Sequence, residues 1–217
     1  VKDIPATSLT AVGDVVYFAA DDGVNGVELW LSDGNTSGTQ MVKDINTTGS
    51  SGPSMLTAVG DQVFFRADDG TGKGAELWRS DGTSVGTGMV KDINPEANSS
   101  YLSELTAVGV DLFFQADDGD SGSELWRSDG TELGTMRVRD INPGSPSSNP
   151  IQLTAVGSQL YFSADNGSAG AELWRSDGSD QGTIMVRDIN SGPGGSFPVG
   201  LTALGPALLY AATDGIH

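Results

Sequence analysis

The tripeptide Glu-Leu-Trp recurs four times at a constant interval, which limits the chain to a repeat architecture. Successive copies begin 48 residues apart, at Glu28, Glu76, Glu124 and Glu172. Two further signatures keep the same register: Leu-Thr-Ala-Val/Leu-Gly, first seen at Leu9, and Val-Lys/Arg-Asp-Ile, first seen at Val1. A fixed period of this length indicates tandem copies of one supersecondary unit, each of which buries its apolar face against its neighbours.

Each repeat contains four strand signals. In the second repeat, residues 56–59, 63–67, 76–80 and 89–93 are rich in β-formers and are separated by Gly- and Asp-containing turns. No segment shows the apolar spacing of an amphipathic helix. Four antiparallel strands in about 48 residues, repeated in tandem, are typical of a β-propeller blade. The sequence therefore predicts an all-β fold, a β-propeller built from four-stranded antiparallel blades.

The repeats predict four complete blades and a partial fifth within a single propeller domain, residues 1–217. The fifth blade lacks its Glu-Leu-Trp strand, so the sequence is compatible with a five-bladed ring or with a fragment of a larger propeller. The expected boundaries are 9–55, 56–104, 105–152 and 153–200, with 201–217 plus 1–4 forming the partial blade, in which 1–4 supplies a fourth strand.

Composition and charge narrow the classes of function. Asp and Glu total 29 against 11 Lys and Arg, a net charge of −18, which repels the phosphates of nucleic acids. The chain has no cysteine, its one histidine is His217, and no apolar run reaches the length of about 20 residues that spans a bilayer. Every candidate carboxylate is repeated in each blade, whereas an active site usually breaks such symmetry. The sequence thus predicts a protein that is not an enzyme; a propeller hydrolase would need a non-repeating cluster of acids and a base.

Two residue sets are candidates for ligand binding. The tryptophans offer aromatic faces that suit sugar rings, although their mid-strand setting favours packing in the core. The inter-blade segments, such as 47–55 and 143–151, vary between repeats and are the best candidates for recognition. The candidate ligand residues are Trp30, Trp78, Trp126 and Trp174 in the strands and Asn46, Asn94, Asn142 and Asn190 in the inter-blade segments.

Calcium is the candidate cofactor. The loops between the second and third strands pair two oxygen-bearing side chains beside a glycine, which suits Ca²⁺, but they lack the ligand spacing of an EF-hand. The alternative is a turn in which each carboxylate accepts hydrogen bonds from nearby amides. The candidate metal ligands are Asp21, Asp22, Asp68, Asp69, Asp117, Asp118, Asp165 and Asn166.

Two other repeated acids are expected to be structural. Asp33, Asp81, Asp129 and Asp177 precede a glycine between the third and fourth strands, where a turn-stabilising role is expected. Asp44, Asp92, Asp140 and Asp188, in the fourth strands, are placed to pair with Arg79, Arg127 or Arg175 on a neighbouring strand.

The string Glu-Leu-Trp-Arg-Ser-Asp-Gly-Thr, at 76–83 and 124–131, resembles the ELWxxDGT repeat family of large, mostly bacterial, secreted or surface proteins. Departures are small: Leu31 replaces the Arg, and Asn35 and Ser179 replace the Thr. The resemblance implies an extracellular, propeller-like array, secreted or at the cell surface, and carries no catalytic residues.

Two functions are compatible with these sequence features. The first is a multivalent binding module, with a carbohydrate as the lectin-like candidate ligand and sites repeated around the propeller. The alternative is a structural or assembly subunit that packs against other protein chains through its propeller faces or an open blade edge.

Overall fold

The computed structural model describes residues 3–95 and 98–216, which form eighteen strands and no helix. The first sheet contains β1 (Ala6–Val12), β2 (Val15–Asp21), β3 (Val27–Ser32) and β4 (Gln40–Lys43). The second contains β5 (Ser54–Val59), β6 (Gln62–Ala67), β7 (Glu76–Ser80) and β8 (Gly88–Lys91). The third contains β9 (Ser103–Val108), β10 (Asp111–Asp117), β11 (Ser123–Ser128) and β12 (Met136–Arg139). The fourth contains β13 (Ile151–Val156), β14 (Gln159–Asp165), β15 (Ala171–Ser176) and β16 (Ile184–Arg187), and a two-stranded sheet contains β17 (Val199–Leu204) and β18 (Ala207–Ala211).

Strands within each sheet lie in sequence order and pair antiparallel, as predicted for propeller blades. The first two strands of each blade are joined by a two-residue turn such as Gly13-Asp14, in which Gly13 has a φ of 57° that glycine adopts without strain. The partial blade consists of its first two strands, as expected. In the described part of the chain, no helix is long and apolar enough to cross a membrane.

Two of the strands expected as fourth strands differ from the structure. The second blade's fourth strand was expected at 89–93 but ends at Lys91, because the N–H of Ile93 donates to the Glu76 carboxylate at 2.9 Å instead of to a strand. The expected strand at 1–4 is also wrong for its described residues: Asp3 and Ile4 lie outside any strand. Ile4 instead packs on the first sheet, and Val1 and Lys2 lie outside the described residues.

The first strand of each blade begins before the Leu-Thr-Ala motif and contains a bulge. In the second blade the register with β6 shifts between Ser54 and Thr57. Met55, inside this bulge, has a φ of 56°, a left-handed conformation that a non-glycine residue adopts at some cost. The residues at the same position in the other complete blades share it: Ser8, Glu104 and Gln152.

The chain divides into two compact units. The first is Val1–Leu102 with Gly130–Glu132, and the second is Ser103–Asp129 with Leu133–His217. In the first unit, Phe65 and Trp78 of the second sheet belong to one buried cluster with residues of the first sheet. Their ring centroids lie 6.5 Å apart. Phe64 and Phe65 are both buried, because neighbouring residues of a strand point to opposite faces and both faces of the blade are covered.

Polar residues of two repeat motifs join neighbouring blades. In the first unit, the Thr10 hydroxyl donates to the carbonyl of Leu56 at 2.7 Å, which links the first strands of two blades. The Lys43 ammonium group donates to the carbonyl of Thr87 at 2.8 Å, which links their outer parts. Equivalent bonds in the second unit run from Thr106 to Leu153 at 3.3 Å and from Arg139 to Thr183 at 2.8 Å.

Candidate functional site

The glutamate of each Glu-Leu-Trp motif is fully buried. In the second blade, Glu76 projects from β7 towards the segment that leads to the next blade. Its carboxylate accepts the N–H of Ile93 at 2.9 Å and the N–H of Ser100 at 2.8 Å. Both donors lie outside the strands, so they have no partner in a β-ladder. The glutamate therefore satisfies buried amides of the inter-blade segment and attaches that segment to the blade.

The same arrangement recurs in the other complete blades, where a serine hydroxyl adds a further bond. The Glu124 carboxylate accepts the N–H of Ile141 at 3.0 Å, the N–H of Ser148 at 3.0 Å and the Ser148 hydroxyl at 2.6 Å. Glu28 is bound in the same way by Ile45 and Ser51. Glu172 accepts the N–H of Ile189 and the hydroxyl of Ser196, whose N–H donates instead to the carbonyl of Ala171.

Burial changes the acidity of Glu76 and Glu124. Removal from water raises the pKa of Glu76 to about 7, against the opposing effect of the hydrogen bonds from Ile93 and Ser100. Burial also raises the pKa of Glu124, opposed by its bonds from Ser148 and Ile141. A buried acid with a raised pKa is a typical general acid. Here, however, the carboxylates are inaccessible to solvent and face backbone amides of their own chain, which indicates a structural role.

These glutamates were not predicted from the sequence as a distinct site. The available signal was an ionisable residue repeated inside an otherwise apolar strand at a 48-residue period. Such a residue is rarely fully buried unless its oxygens are hydrogen-bonded.

The turn between the third and fourth strands is closed by its own side chains. The hydroxyls of Ser80 and Thr87 lie 2.7 Å apart, and the Asp81 carboxylate accepts the N–H of Thr83 at 2.8 Å and its hydroxyl at 2.7 Å. These hydrogen bonds from Thr83 lower the pKa of Asp81. The same bonds from Ser179 lower the pKa of Asp177. These contacts support the turn-stabilising role expected for these aspartates.

A substitution at Gly182 tests whether the Asp177 carboxylate stabilises this turn. A Cβ added there would overlap the Asp177 carboxylate, so Gly182→Ala displaces the acid that organises the turn. We expect the free energy of unfolding to fall by about 1–3 kcal/mol, measured by urea denaturation. Gly88→Ala is the matched control, because a Cβ at Gly88 meets no atom of the described residues within 4 Å. Equal midpoints for the two variants would contradict this account of the turn.

The paired acids of the second-to-third loops accept bonds from their own loop. The Asp68 carboxylate accepts the N–H of Gly70 at 2.8 Å, and the Asp69 carboxylate accepts the N–H of Thr71 at 2.9 Å. Comparable bonds from Asn25 and Val24 lower the pKa of Asp22. Among the residues that the structure describes, no three acidic, His or Cys side chains are grouped to hold a metal ion. Calcium binding stays a prediction.

The four tryptophans lie in the core. Trp30, Trp78, Trp126 and Trp174 are 4–6% exposed. The Trp174 indole N–H donates to the carbonyl of Ala164 at 3.1 Å. This burial supports the packing interpretation. Sugar stacking on these rings stays a prediction for which the structure leaves little room.

The candidate asparagines form hydrogen bonds within the inter-blade segments. The Asn46 side-chain amide donates to the carbonyl of Ser50 at 3.2 Å, and its oxygen accepts the N–H of Thr48 at 3.2 Å. The same amide-to-carbonyl bond is made by Asn94 to Ser99, by Asn142 to Ser147 and by Asn190 to Gly195. These bonds position the segments, and direct ligand contact by the asparagines stays a prediction.

Two exposed aromatic residues in these segments were not singled out from the sequence. Tyr101 and Phe197 are 66% and 60% exposed, and each follows a serine of the segment that contacts a buried glutamate. Their φ values of 50° and 48° are left-handed, which is uncommon for a bulky residue. Gly52 and Asn149 occupy the equivalent positions. This position therefore has a constant backbone conformation and a side chain that differs between blades.

The expected ion pairs between Asp44, Asp92, Asp140 or Asp188 and Arg79, Arg127 or Arg175 do not form within residues 3–95 and 98–216. Two of the acids pair with other cations: Asp92 lies 3.8 Å from Lys73, and Asp140 lies 3.7 Å from Arg137. The aspartate follows the end of the fourth strand, where the chain leaves the sheet, so it does not face the third-strand arginine.

Comparisons with known proteins define the fold class. No protein-family model matches the chain, so the resemblance to the ELWxxDGT family stays a prediction, and no curated protein matches it either. A prolyl endopeptidase structure is similar with a TM-score of 0.61 and 19% identity, over 97% of this chain and 31% of that one. A puromycin hydrolase mutant in complex with PGG is similar with a TM-score of 0.57 and 12% identity, over 97% of this chain and 34% of that one. TolB from Acinetobacter baumannii is similar with a TM-score of 0.50 and 12% identity, over 83% of this chain and 42% of that one.

The matching parts of these neighbours are β-propeller domains, which confirms the predicted fold class. This chain spans less than half the length of each of the three structures. At these identities the similarity concerns the fold alone.

Proposed function

We propose that this chain is a non-catalytic β-propeller module that binds a ligand through its inter-blade segments. One observation carries the proposal: the side chains that repeat in every blade bind other parts of the chain, while a side chain that differs between blades is exposed. The buried glutamates exemplify the first group. Tyr101 and Phe197 exemplify the second.

The non-catalytic assignment follows from the same division of roles. The glutamates with raised pKa are inaccessible to solvent and to substrate. The turn and loop aspartates are held by hydrogen bonds within their own turns. No set of acid, base and nucleophile converges among these groups, so binding explains the arrangement better than reaction does.

A carbohydrate is the ligand that we favour. An exposed aromatic face suits the apolar face of a sugar ring, and the net charge of −18 disfavours acidic ligands. Single sites of this kind are weak, and two on one chain would raise the overall affinity when both bind. The proposal includes an extracellular location, which the resemblance to the ELWxxDGT family supports, and calcium as a candidate cofactor.

A glycan array tests the proposal, run on the purified chain with calcium and again with a chelator. We expect retention on one class of neutral sugar, reduced about tenfold or more by the double replacement Tyr101→Ala and Phe197→Ala because each ring supplies stacking contacts. Val85→Ala is the control, since Val85 is an exposed apolar residue of a third-to-fourth turn. Loss of binding in chelator would support calcium. Folded protein that binds no glycan in either condition would refute the carbohydrate proposal.

A second candidate is an assembly subunit that packs against other protein chains. A specific observation favours it: the first sheet bears an apolar cavity of about 230 Å³, lined by residues that include Leu9, Val16 and Phe18. Leu9 is 65% exposed beside it.

A further inference from the structure

The inter-blade segment that follows the second blade lacks a backbone hydrogen bond that the equivalent segments make. In each of the other complete blades, the N–H after the segment's serine donates to the carbonyl of the residue before the buried glutamate. These bonds run from Gly52 to Val27 at 3.2 Å, from Asn149 to Ser123 at 3.2 Å and from Phe197 to Ala171 at 3.0 Å. In the described residues of the second blade, Tyr101 makes no such bond to Ala75. The third strand there also begins at Glu76 itself, one residue later than in the other complete blades.

The serine hydroxyl of this segment differs as well. Ser51, Ser148 and Ser196 each donate a hydroxyl hydrogen bond of 2.6 Å to the buried glutamate of their blade. The Ser100 hydroxyl is fully buried and makes no hydrogen bond with the described residues. Because hydrogen bonds to a carboxylate favour its charged form, ionised Glu76 lacks a stabilising bond that the other three glutamates have.

Tyr101 lies between an ionisable attachment and an apolar one. On one side, Ser100 donates its N–H to the Glu76 carboxylate at 2.8 Å. On the other side, Leu102 is buried. One further bond joins the segment to the blade, from the N–H of Ala75 to the Ser99 hydroxyl at 3.0 Å. The Tyr101 ring is 66% exposed and gains little from packing, so these backbone attachments determine where it lies.

Burial and a neighbouring charge both oppose ionisation of Glu76. Removal from water is the larger cause of its raised pKa, and the Asp92 carboxylate adds to the effect. Lys73 lies 3.8 Å from Asp92 and offsets part of that charge. Glu96, in the same segment, lies outside the described residues. A buried carboxylate that has lost its proton is stabilised by access to water, which release of the segment would provide.

We propose that Glu76 is a pH-dependent switch that positions Tyr101, in which the protonated acid holds residues 98–101 on the blade and the ionised carboxylate releases them. The inference rests on the function proposed above, because it makes ligand binding at Tyr101 dependent on pH. Glu76 is buried and acts as a positioning residue, without contact to the ligand. The attachment is strongest below pH 4.5 and weakens as the pH rises through about 7.

The size of the effect follows from the difference between the attached and the released carboxyl group. Glu76 titrates at about 7 when attached and at its usual 4.5 when released into water. Release should therefore be about 30-fold more favourable at about pH 8 than at about pH 5.5.

Hydrogen exchange tests the switch without a ligand. In the unmodified chain, protection of the Ile93 and Ser100 amides should fall about 30-fold between about pH 5.5 and pH 8, after correction for the intrinsic rate. At about pH 8 both should exchange at least about tenfold faster than the Phe65 amide in the core of β6, because the segment opens while the sheet stays folded. Glu76→Gln cannot ionise and should remove the pH dependence, whereas Glu132→Gln, in an exposed turn, should retain it.

An array of neutral glycans, run at about pH 5.5 and about pH 8, tests the consequence for binding. Phe197→Ala leaves Tyr101 as the aromatic residue under test. Retention should fall about fivefold or more at the higher pH, because the apparent affinity decreases with the fraction of attached segment. Adding Glu76→Gln should make retention equal at both pH values, while adding Glu132→Gln should leave the loss in place. All three variants keep His217, so its titration does not distinguish them.

Three results would overturn the proposal. One is protection of Ile93 and Ser100 that does not change with pH or that equals the protection of Phe65. Another is retention of glycans that is unchanged at the higher pH in the Phe197→Ala variant, and the third is a loss that Glu76→Gln fails to remove. If Glu76→Gln does not fold, carbon NMR titration of the Glu76 carboxyl in the unmodified chain replaces it, and a titration that does not coincide with the loss of protection contradicts the switch.

Failure of the proposed function gives a different result. Folded, unmodified chain that binds no glycan at either pH refutes the carbohydrate proposal and, with it, the pH dependence of binding. The exchange measurement needs no ligand and decides separately whether ionisation of Glu76 releases the segment.

Discussion

Replacement of Glu124 by alanine is expected to lower the free energy of unfolding by about 3–5 kcal/mol. The carboxylate accepts the N–H groups of Ile141 and Ser148 and the Ser148 hydroxyl, all in the interior. Alanine leaves the N–H of Ile141 and the Ser148 hydroxyl buried without this acceptor, while the N–H of Ser148 keeps the carbonyl of Ser123 at 3.1 Å. It also creates a void in place of the side chain. Each buried unsatisfied donor costs about 1–3 kcal/mol. The inter-blade segment should consequently detach from β11 before the rest of its blade unfolds.

Urea denaturation measures this loss, and hydrogen exchange at the amides of Ile141 and Ser148 locates it. Glu132→Ala is the matched control, since it removes the same functional group from an exposed turn position and should change stability by less than about 0.5 kcal/mol. Glu124→Gln should fall between the two, because the amide keeps one acceptor oxygen. If Glu124→Ala were as stable as the control, the buried glutamate would not be the attachment point that the geometry indicates.

Stability is also expected to fall as the pH rises from about 5 to about 8. Burial raises the pKa of Glu76 from its usual 4.5 to about 7, so the folded chain binds a proton that the unfolded chain has already released in this range. The contribution is fully present below pH 4.5 and is lost as the pH passes through about 7. A rise in pKa from 4.5 to about 7 corresponds to about 3 kcal/mol. The raised pKa of Glu124 acts in the same direction.

Opposite behaviour is expected at more acid pH. Hydrogen bonds within their own turns lower the pKa values of Asp22, Asp81 and Asp177 below their usual 3.8. Their contribution is present above pH 3.8 and is lost as the pH falls through the lowered values. The two effects together place the stability maximum at about pH 4–5.

Midpoints of urea denaturation, measured from about pH 3 to about pH 8, test the expected loss of stability at both ends of this range. Glu76→Gln should flatten the profile between about pH 5 and pH 8, because the amide does not titrate, while Glu132→Gln should leave it unchanged. The comparison also controls for net charge, since both variants remove one carboxylate. A midpoint that rises over the same range in the unmodified chain would contradict the assignment of Glu76.

The strands and their order were predictable because they depend on local pattern. The run of β-formers in 63–67 and the Gly-Asp turn before it specify a hairpin from neighbouring residues alone. The end of the fourth strand was not predictable in this way. Val90 and Ile93 are both β-branched, so the local pattern does not mark an end of the strand between them. The strand stops at Lys91 because a carboxylate 17 residues earlier accepts the amide N–H of Ile93.

The roles of the candidate site residues were likewise predictable only where they depend on local pattern. The mid-strand setting of the tryptophans indicated correctly that they belong to the core, and the aspartates that precede a glycine were correctly expected to stabilise their own turns. The asparagines were candidates because they lie in the variable inter-blade segments, and the paired aspartates because their oxygens suit Ca²⁺. The structure uses side-chain oxygens of both sets within their own loops. Tyr101 and Phe197 were missed because exposure depends on the path of the segment, which a single repeat does not define.

The sequence alone determined that this chain forms propeller blades. Strand pattern and turn chemistry depend on residues close in sequence, and the periodicity implies one interface repeated along the chain. The tertiary structure decided what the recurring polar positions of the repeat do. Glu76 is buried because its partners, 17 and 24 residues away, arrive from outside the strand. It also decided how equivalent side chains are packed: Phe18 and Phe65 occupy the same position in successive blades and both are buried, Phe65 in a cluster that spans two sheets and Phe18 in a small cluster of the first sheet.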